Sequence, residues 1–187
     1  MLIKSNTQIM EQKKEYVILV DKNDVELGEM EKQEAHVRGV LHRAFSVFAF
    51  DPDGKLIMQR RALSKYHSPG KWANTCCSHP RKGETVEEAG HRRLIEEMGF
   101  DTRIEKVFSF IYKAGVGQGL IEHELDHVLV GTFDGIPKIN PEEVHEWKTV
   151  DMESLRKDIK EHPEHYAEWF KIIFERVYEF YSAKITK

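Results

Sequence analysis

The stretch "KGETVEEAGHRRLIEEMGF", residues 82–100, decides the fold predicted for this chain. Thr85 and Glu88 have the spacing of a capping box, in which two residues satisfy each other's backbone N–H groups at a helix start. Gly99 stands where the left-handed residue that ends a helix is expected. The stretch therefore predicts a helix over residues 85–98.

The charges at the end of this predicted helix are unusual for a solvated face. Arg93 and Glu97 are four positions apart and share a face, with Glu96 beside them. Carboxylates at a helix C-terminus oppose the macrodipole, so their placement is unfavourable unless a cation offsets it. An ordinary solvated face accounts well for Glu87 and Glu88, and less well for Glu96 and Glu97.

Strand patterns lie on both sides of the predicted helix. Upstream, the apolar run "YVILVD" (16–21) comes first, and then "AFSVFAFD" and "KLIMQRR" flank "PDG", which predicts a hairpin. Downstream, residues 104–112 and 120–133 have strand patterns on either side of "AGVGQG", and Trp147 lies in another short strand. Together these segments predict a mixed sheet around the helix.

The chain after Asp151 is predicted to be helical, with one long amphipathic helix that carries an apolar stripe. The stripe consists of Tyr166, Phe170, Ile173, Phe174, Val177 and Tyr181. A mixed sheet with a central helix and C-terminal helices belongs to the α/β class in its broad sense (α+β). Its layers form an α/β/α sandwich.

Length and composition limit the possible classes of function. With 187 residues and 40% hydrophobic content, the chain suits one domain, predicted over residues 16–187 after a flexible polar leader at residues 1–15. The net charge of -4 and the dispersed basic residues give no global attraction to nucleic acid or to an acidic membrane. Because no signal-peptide core and no run of about 18 apolar residues is present, we expect a soluble cytoplasmic protein. The sequence leaves open whether it is a monomer or a homodimer.

The segment "ANTCCSHP", residues 73–80, contains the only two cysteines of the chain. Adjacent cysteines rarely satisfy disulfide geometry, so Cys76 and Cys77 are predicted to be thiols. With His79 they place three groups that can donate protons, bind metal or attack a substrate within four positions. A role as a small buried hydrophobic residue is the alternative for Cys77.

Histidines and carboxylates that could bind a metal lie in two other segments. "EAHVRGVLHRAF" carries His36 and His42, and each of them taken singly is typical of a surface or hydrogen-bonded core histidine. In "GLIEHELDHVLV", strand alternation puts Glu122, Glu124 and Asp126 on one face. Neighbouring carboxylates repel one another, so an interior position would require a cation such as a divalent metal. A solvent-facing acidic edge strand is the alternative.

Basic residues cluster in "QRRALSKYHSPGKW", just beyond the predicted hairpin. Arg60, Arg61, Lys65 and Lys71 could there bind a phosphate or diphosphate. Solvated loop charge is the commoner explanation, and the residues alone leave both open.

The segment around the predicted helix resembles the Nudix box. When the two are aligned on Gly99, the places of the first glutamate, the arginine and the paired glutamates are taken by Glu84, Arg92, Glu96 and Glu97. Two positions depart from the motif, since Ser78 replaces its leading glycine and Arg93 replaces the glutamate before the aliphatic residue. In Nudix hydrolases that glutamate helps to hold the metals that activate the attacking water. A guanidinium at position 93 therefore implies a site that holds a diphosphate without cleaving it.

From "YVILVD" to "EWF", nearly the whole chain, the sequence is similar to the type I isopentenyl diphosphate isomerases, enzymes with the Nudix fold. The stretches that occur in the order of that family are "EKQEAH", "LHRAF", "RRALSK", "PGKWANTCCSHP", "IEHEL" and "YAEWF". The resemblance implies an isomerase of isoprenoid biosynthesis that interconverts isopentenyl diphosphate and dimethylallyl diphosphate. Its binding partner would be this small-molecule isoprenoid diphosphate substrate. A Nudix diphosphohydrolase and a non-catalytic diphosphate-binding Nudix domain are the alternatives.

The resemblance also implies roles for individual residues. Cys77 and Glu124 would be the acid/base pair, helped by Tyr112, and Trp169 would face a tertiary carbocation-like species. One divalent metal, which could be Mn, Zn or Mg, would be bound by His36, His42, His79, Glu122 and Glu124. Glu97 would bind a magnesium ion together with the substrate diphosphate. The diphosphate itself would be held by Lys32, Arg61, Lys65 and Arg93.

Overall fold

A mixed sheet runs through the molecule, in a computed structural model that describes the backbone of residues 14–185 and the side chains of residues 14–183. The strands of this sheet are β1 (Tyr16–Val20), β2 (Glu26–Glu31), β3 (His42–Phe50), β4 (Leu56–Arg61), β5 (Trp72–Ala73), β6 (Cys76–Ser78), β7 (Ile104–Gly117), β8 (Leu120–Thr132) and β9 (Val144–Val150). The α-helices are α1 (Lys32–Arg38), α2 (Val86–Arg93), α3 (Met152–Glu161) and α4 (Glu168–Ile185). The strands predicted around "AGVGQG" and at Trp147 are thereby confirmed as β7, β8 and β9.

Strand β3 is the centre of the sheet, because it pairs with β1, β4, β6 and β8. On one edge β8 runs parallel to it, from the pair His42 and Glu124 onward. On the other edge β6 runs antiparallel to it, with Ser46 opposite Cys77. Strands β6 and β8 thus flank β3 and bring "CCSHP" and "IEHEL" to opposite sides of one strand.

The predicted hairpin between β3 and β4 is wrong over most of its length. The two strands share a single pair, Phe50 with Leu56, next to the turn that Asp51 closes with Lys55. Strand β4 then turns away and pairs with β5 and β9. The reason is that β6 already occupies the edge of β3 from Phe45 to Val47, so β4 has no free edge to follow.

Two apolar clusters on opposite faces of the sheet hold the layers together. Strand alternation sends Phe48 to the face covered by α3 and α4, where it packs with Phe170. Phe45 and Val47 point to the face covered by α2, where they pack with Leu94. The predicted α/β/α arrangement, with one central helix and C-terminal helices, is confirmed.

The central helix begins as predicted and ends with a different geometry. The capping box is present, since the Thr85 side chain accepts a bond from the Glu88 backbone N–H and Glu88 accepts one from the Thr85 N–H. After α2 the helix continues as a π-helical turn, Leu94–Met98, and Gly99 closes it in the left-handed conformation. A π turn inserts one extra residue, and such turns are frequent at functional sites.

The predicted C-terminal stripe is buried except for Tyr181, which is partly buried, and its first member lies outside the helix. Helix α4 begins at Glu168, whereas Tyr166 forms a parallel bridge with Trp72 of β5. Phe170 and Phe174 of α4 are buried in the cluster on the sheet. Residues 166–167 therefore attach the start of α4 to β5 before the helix begins.

Most of the predicted N-terminal leader, residues 1–13, lies outside the described residues. Lys14 and Glu15 are exposed, and Glu15 forms an ion pair with Lys32 at 2.8 Å. None of the helices described has both the length and the apolar character that crossing a membrane requires.

Candidate active site

A cavity of about 270 Å³ opens beside β3 and gathers most of the predicted site residues. The predicted residues in its lining are Lys32, Arg61, Lys65, Cys77, His79, Arg93, Glu97, Tyr112, Glu122, Glu124 and Trp169. His36 and His42 do not line the cavity, but their rings lie 5.8 and 5.0 Å from the ring of His79. The structure therefore brings these predicted residues into one region. Arg60 and Lys71 of the basic segment lie outside the cavity, since Arg60 pairs with Glu146 at 2.7 Å and Lys71 donates to the backbone carbonyl of Glu164.

The four residues His36, His42, His79 and Glu124 place one potential ligand atom each within 4.8 Å of one another. His42 is the first residue of β3 and lies beside Glu124 because β3 and β8 pair in parallel register. Nε2 of His79 lies 3.2 Å and Nε2 of His42 lies 3.5 Å from Oε1 of Glu124. His42 Nδ1 contacts the Val40 carbonyl at 2.8 Å, which orients its other nitrogen toward the cluster.

This cluster fits a divalent metal ion. The Nε2 atoms of His36 and His42 are buried and have no hydrogen-bond partner among the described residues. Burial, followed by nearby cationic groups, lowers the pKa of His36 to about 3. Burial lowers the pKa of His79 to about 4, although Glu124 opposes that shift. The imidazoles of His36 and His79 are therefore neutral near pH 7, which is the form that binds metals.

Glu122 lies beside this cluster rather than within it. The hydroxyl of Tyr112 donates to Oε2 of Glu124 at 2.7 Å and approaches Oε2 of Glu122 at 3.1 Å. Burial, and then the charge of Glu124, raises the pKa of Glu122 well above its usual range. Burial alone would raise the pKa of Glu124 too, but its contacts with His42 and His79 hold it well below that range. Without a cation, one carboxyl of the pair therefore keeps a proton.

The alternative of an exposed acidic edge strand is excluded for β8. Glu122, Glu124 and Asp126 are 4%, 7% and 1% exposed, and β8 has a paired strand on each edge. Asp126 accepts a hydrogen bond from Ser46 of β3 at 2.8 Å. The carboxylate face of this strand is thus interior.

The two adjacent cysteines face opposite sides of the sheet because side chains alternate along β6. Cys77 lines the cavity. Cys76 is fully buried in the apolar cluster under α2, where its thiol lies 3.6 Å from Oε1 of Glu97. Burial raises the pKa of the Cys77 thiol well above its usual range, so the thiol is protonated near neutral pH.

The basic residues of the cavity have acidic partners that the sequence analysis did not identify. Lys65 forms an ion pair with Glu143, and Nη2 of Arg93 lies 3.1 Å from the same carboxylate. Lys32 pairs with Glu15. The Nε atom of Arg61 is buried without a partner among the described residues, so this guanidinium has a free donor.

Arg93, which replaces a glutamate of the Nudix box, binds the neighbouring carboxylates of its own helix. Its Nη2 lies 2.7 Å from Oε1 of Glu97, and its Nη1 lies 2.6 Å from Oε2 of Glu96. The other oxygen of Glu97 accepts a hydrogen bond from Gln59 at 2.8 Å. Arg92 pairs with Glu84 at 2.7 Å. The unfavourable carboxylates at the helix end are thus offset by a built-in cation.

Trp169 lies in the first turn of α4 and is 3% exposed. It packs in the apolar cluster on the sheet and also lines the cavity, so it is both a core residue and a residue of the site. The guanidinium of Arg61 lies 5.1 Å from the centre of its ring. Its indole N–H donates to Asn74 at 3.3 Å.

Sequence reasoning missed several residues of this region. His67 is 7% exposed, lines the cavity and lies edge-on to Trp169 at 5.9 Å, with its Nδ1 3.8 Å from Oε1 of Glu122. Tyr66 also lines the cavity, and its hydroxyl contacts Nδ1 of His36 at 3.3 Å. Both follow Lys65 directly in "RRALSKYHSPGKW", and this proximity to a predicted basic residue was the available signal.

The chain matches the model of the NUDIX domain family over residues 40–170. Isopentenyl-diphosphate Delta-isomerase 2 of Aromatoleum aromaticum is 52% identical over 161 residues, which cover 86% of this chain and 85% of that protein. Isopentenyl-diphosphate Delta-isomerase of Serratia proteamaculans is 49% identical over 161 residues, which cover 86% of this chain and 90% of that protein.

Among solved structures, a Deinococcus radiodurans protein superimposes with a TM-score of 0.70 at 20% identity, covering 87% of this chain and 98% of that chain. The MutT protein of Methanosarcina mazei gives a TM-score of 0.62 at 17% identity, covering 79% and 96% of the two chains. These two likenesses concern the fold alone. The domain match and the close relatives confirm the family resemblance of the sequence: the chain belongs to the NUDIX domain family and, within it, to the isopentenyl-diphosphate Delta-isomerases.

Proposed function

We propose that this protein interconverts isopentenyl diphosphate and dimethylallyl diphosphate. The observation that carries the proposal is that the Cys77 thiol and the Glu124 carboxylate line one cavity from the two strands that flank β3. Moving a double bond by one carbon needs a proton added at one end of an allylic unit and a proton removed at the other. This reaction needs at least two acid/base groups, on opposed walls of a small pocket. The names of the close relatives also support the proposed isomerisation.

We assign Cys77 and Glu124 as that pair, with one adding a proton and the other removing one. Reversal of the reaction exchanges their tasks. Tyr112 assists as the hydrogen-bond donor to Glu124, at 2.7 Å. Protonation of an unactivated alkene passes through a tertiary carbocation-like species, which the pocket has to shelter from water.

Trp169 is the residue that we assign to stabilise this cation. The face of an indole attracts a cation with about 2 kcal/mol or more when both are desolvated. Trp169 is nearly fully buried and lines the cavity, so its ring meets that condition. Because Arg61 already lies over the same ring, binding of a diphosphate to Arg61 would also adjust the charge near the indole.

The metal that we propose for the cluster is Mn, Zn or Mg, held by His36, His42, His79 and Glu124, with Glu122 as a fifth ligand. When bound, such an ion offsets the negative charge of the paired carboxyls and fixes the acidity of Glu124. Nitrogen ligands together with carboxylates suit each of these ions, so the donor set does not choose between them.

We propose that the substrate diphosphate binds where the basic residues line the cavity. Lys32, Arg61, Lys65 and Arg93 would hold it, and Glu97 would share a magnesium ion with it. Entry of the diphosphate would replace Glu143 as the partner of Lys65 and Arg93. Arg93 stands where the Nudix box has a glutamate, so the site has one metal-binding carboxylate fewer than a Nudix hydrolase, and we infer that the diphosphate is held rather than cleaved.

The test is to incubate the protein with isopentenyl diphosphate and magnesium in heavy water and to record proton and phosphorus NMR together. We expect dimethylallyl diphosphate with incorporated deuterium, while both phosphorus signals are retained. Release of monophosphate or inorganic phosphate would instead identify a diphosphohydrolase. If a folded, metal-loaded protein bound the substrate but left it unchanged, a non-catalytic diphosphate-binding domain would replace our proposal.

A further inference from the structure

Asn74 is a fully buried residue between β5 and β6 with 0% exposure. Its side-chain NH₂ donates to the carbonyl of Cys76 at 2.7 Å and to the carbonyl of Val47 at 3.2 Å. Its side-chain oxygen accepts the indole N–H of Trp169 at 3.3 Å. The two donor hydrogens and the acceptor oxygen of one amide are thus all used, and each faces a group of the complementary kind.

Through these bonds a single side chain joins the strand that carries Cys77, the central strand β3 and the indole of Trp169. The Cys76 carbonyl belongs to the peptide that leads into Cys77, and the Val47 carbonyl belongs to the central strand β3. Trp169 reaches the same amide from α4. The backbone before α4 is attached separately, since the Ala167 N–H donates to the Trp72 carbonyl at 3.0 Å. The helix is therefore anchored without Asn74, whereas the angle of the indole ring depends on it.

The indole would not keep its orientation if this acceptor were lost. Trp169 is 3% exposed, so water cannot readily replace the missing partner. A buried donor left without an acceptor is destabilising, and buried tryptophan N–H groups usually find a partner. The ring would turn toward another acceptor, and its face would move relative to the cavity.

We propose that Asn74 is a positioning residue, which fixes the indole of Trp169 at a set angle to the strand that carries Cys77. The inference rests on the proposed function, because the angle matters for catalysis only if the indole faces a cationic species. Other side chains of similar or smaller size cannot make the same three hydrogen bonds at this position. Aspartate would set an oxygen against two carbonyls, serine is too short to reach three partners, and leucine has neither donor nor acceptor.

The test is a double-mutant cycle of Asn74→Ala and Trp169→Phe in the full chain, with kcat and KM measured for isopentenyl diphosphate. We expect Asn74→Ala to lower kcat about tenfold with KM changed less than about twofold, as loss of an interaction made in the transition state predicts. In the Trp169→Phe background, which has no indole N–H, the further loss from Asn74→Ala should shrink to about twofold or less. Equal losses in both backgrounds would overturn the proposal.

Thr75→Val is the matched control, because Thr75 is the next residue, is equally buried and also bonds through its side chain. Its hydroxyl donates to the Ile57 carbonyl and accepts the Ala49 N–H at 2.8 Å, and neither group touches Trp169. We expect Thr75→Val to lower the thermal midpoint without changing kcat, in either background. If it lowered kcat as much as Asn74→Ala does, general loosening would explain both variants and the positioning role would be rejected.

A second readout does not depend on turnover. In a Trp72→Phe, Trp147→Phe background, Trp169 is the only tryptophan, and Asn74→Ala should shift its fluorescence emission and increase its quenching by acrylamide. If the unsubstituted protein isomerises nothing, the proposed function fails, while the emission still decides whether Asn74 holds the indole. If Asn74→Ala does not fold, Asn74→Leu serves in both arms, because leucine is close in size to asparagine and has no acceptor for the indole N–H. Unchanged emission and unchanged kcat in a folded variant would refute the positioning role.

Discussion

At the scale of single residues, Cys76 and Cys77 differ in surroundings although they are neighbours in the chain. Cys77 lines the cavity beside β3, whereas Cys76 is enclosed under α2. Only one of these thiols can therefore reach a substrate. The local pattern "CCSH" leaves the choice open, and the alternation of β6 decides it.

We predict that Cys77→Ala abolishes turnover, because general acid/base groups each contribute about 10²–10⁴-fold to the rate. The fold and the binding of a diphosphate should stay nearly intact, as judged by circular dichroism and by titration with isopentenyl diphosphate. Cys76→Ala is the matched control and should have a mild effect on kcat. An inactive Cys76→Ala beside an active Cys77→Ala would reverse the assignment.

His42 is the cluster histidine that is fully buried at the start of β3. We predict that His42→Ala weakens metal retention, because it removes one of three imidazoles whose free nitrogens converge on Glu124. Elemental analysis after gel filtration should show a clear loss of bound metal. His123→Ala, on the opposite face of β8, is the control and should retain it. Metal content unchanged by His42→Ala would remove this residue from the site.

At the scale of elements, the central helix depends on how it ends. Gly99 has a φ of +67°, and a Cβ at this position would collide with the backbone carbonyl of Lys138. The left-handed ending lets the chain turn sharply after the π turn that carries Glu96 and Glu97. The placement of these carboxylates thus depends on a glycine outside the cavity.

We predict that Gly99→Ala destabilises the protein by more than the about 1–2 kcal/mol that a left-handed conformation costs an L-residue. Gly83→Ala is the matched control, because Gly83 also has a positive φ, +83°, but a Cβ added there would meet no atom within 4 Å. Urea unfolding of both variants gives the two free energies. If their losses are equal, the contact with Lys138 adds nothing.

At the scale of the whole molecule, the cluster of His36, His42, His79 and Glu124 gathers distant parts of the chain, since its residues come from α1, β3, the position after β6, and β8. Binding of an ion by these four residues would stabilise the entire fold. At a free metal concentration 100 times the Kd, the stabilisation is about 2.7 kcal/mol. For a domain of this size, that corresponds to roughly 5–10 °C in the thermal midpoint.

We therefore predict that chelation lowers the thermal midpoint and that returning Mn²⁺ or Zn²⁺ restores it. Differential scanning calorimetry with and without chelator gives the size of the shift. In His42→Ala the shift should become much smaller. Equal shifts in both proteins would mean that the stabilising ion binds elsewhere.

The parts of the fold that could be predicted are those encoded by neighbouring residues. The capping box at Thr85 and the end at Gly99 are local, so the limits of the central helix followed from the sequence. The divergence of β3 and β4 could not be predicted, because β6 takes the edge of β3 from 29 or more positions downstream, as the pairing of Val47 with Cys76 illustrates. The π turn likewise depends on packing that the sequence pattern does not display.

The same distinction applies to the site. Residues within recognisable motifs, such as Cys77 and Glu124, were identified through family resemblance. Asn74 and Glu143 were missed, because their importance lies in partners from remote segments: Trp169 for the first, Lys65 and Arg93 for the second. Ordinary polar residues become identifiable only when the pairing of strands has set their neighbours.

The parallel pairing of β3 with β8 also limits the order in which the protein can fold. Ser46 and Asp126, whose side chains are hydrogen-bonded across this pair, are 80 positions apart in the chain. The entropy of closing so long a loop has to be overcome before the contacts between the strands can form, and such non-local pairings fold slowly. During synthesis, the N-terminal histidines leave the ribosome long before Glu124 does. A partly made chain therefore lacks both the complete set of potential metal ligands and the cavity wall that carries Glu124. Both arise only when β8 docks onto β3.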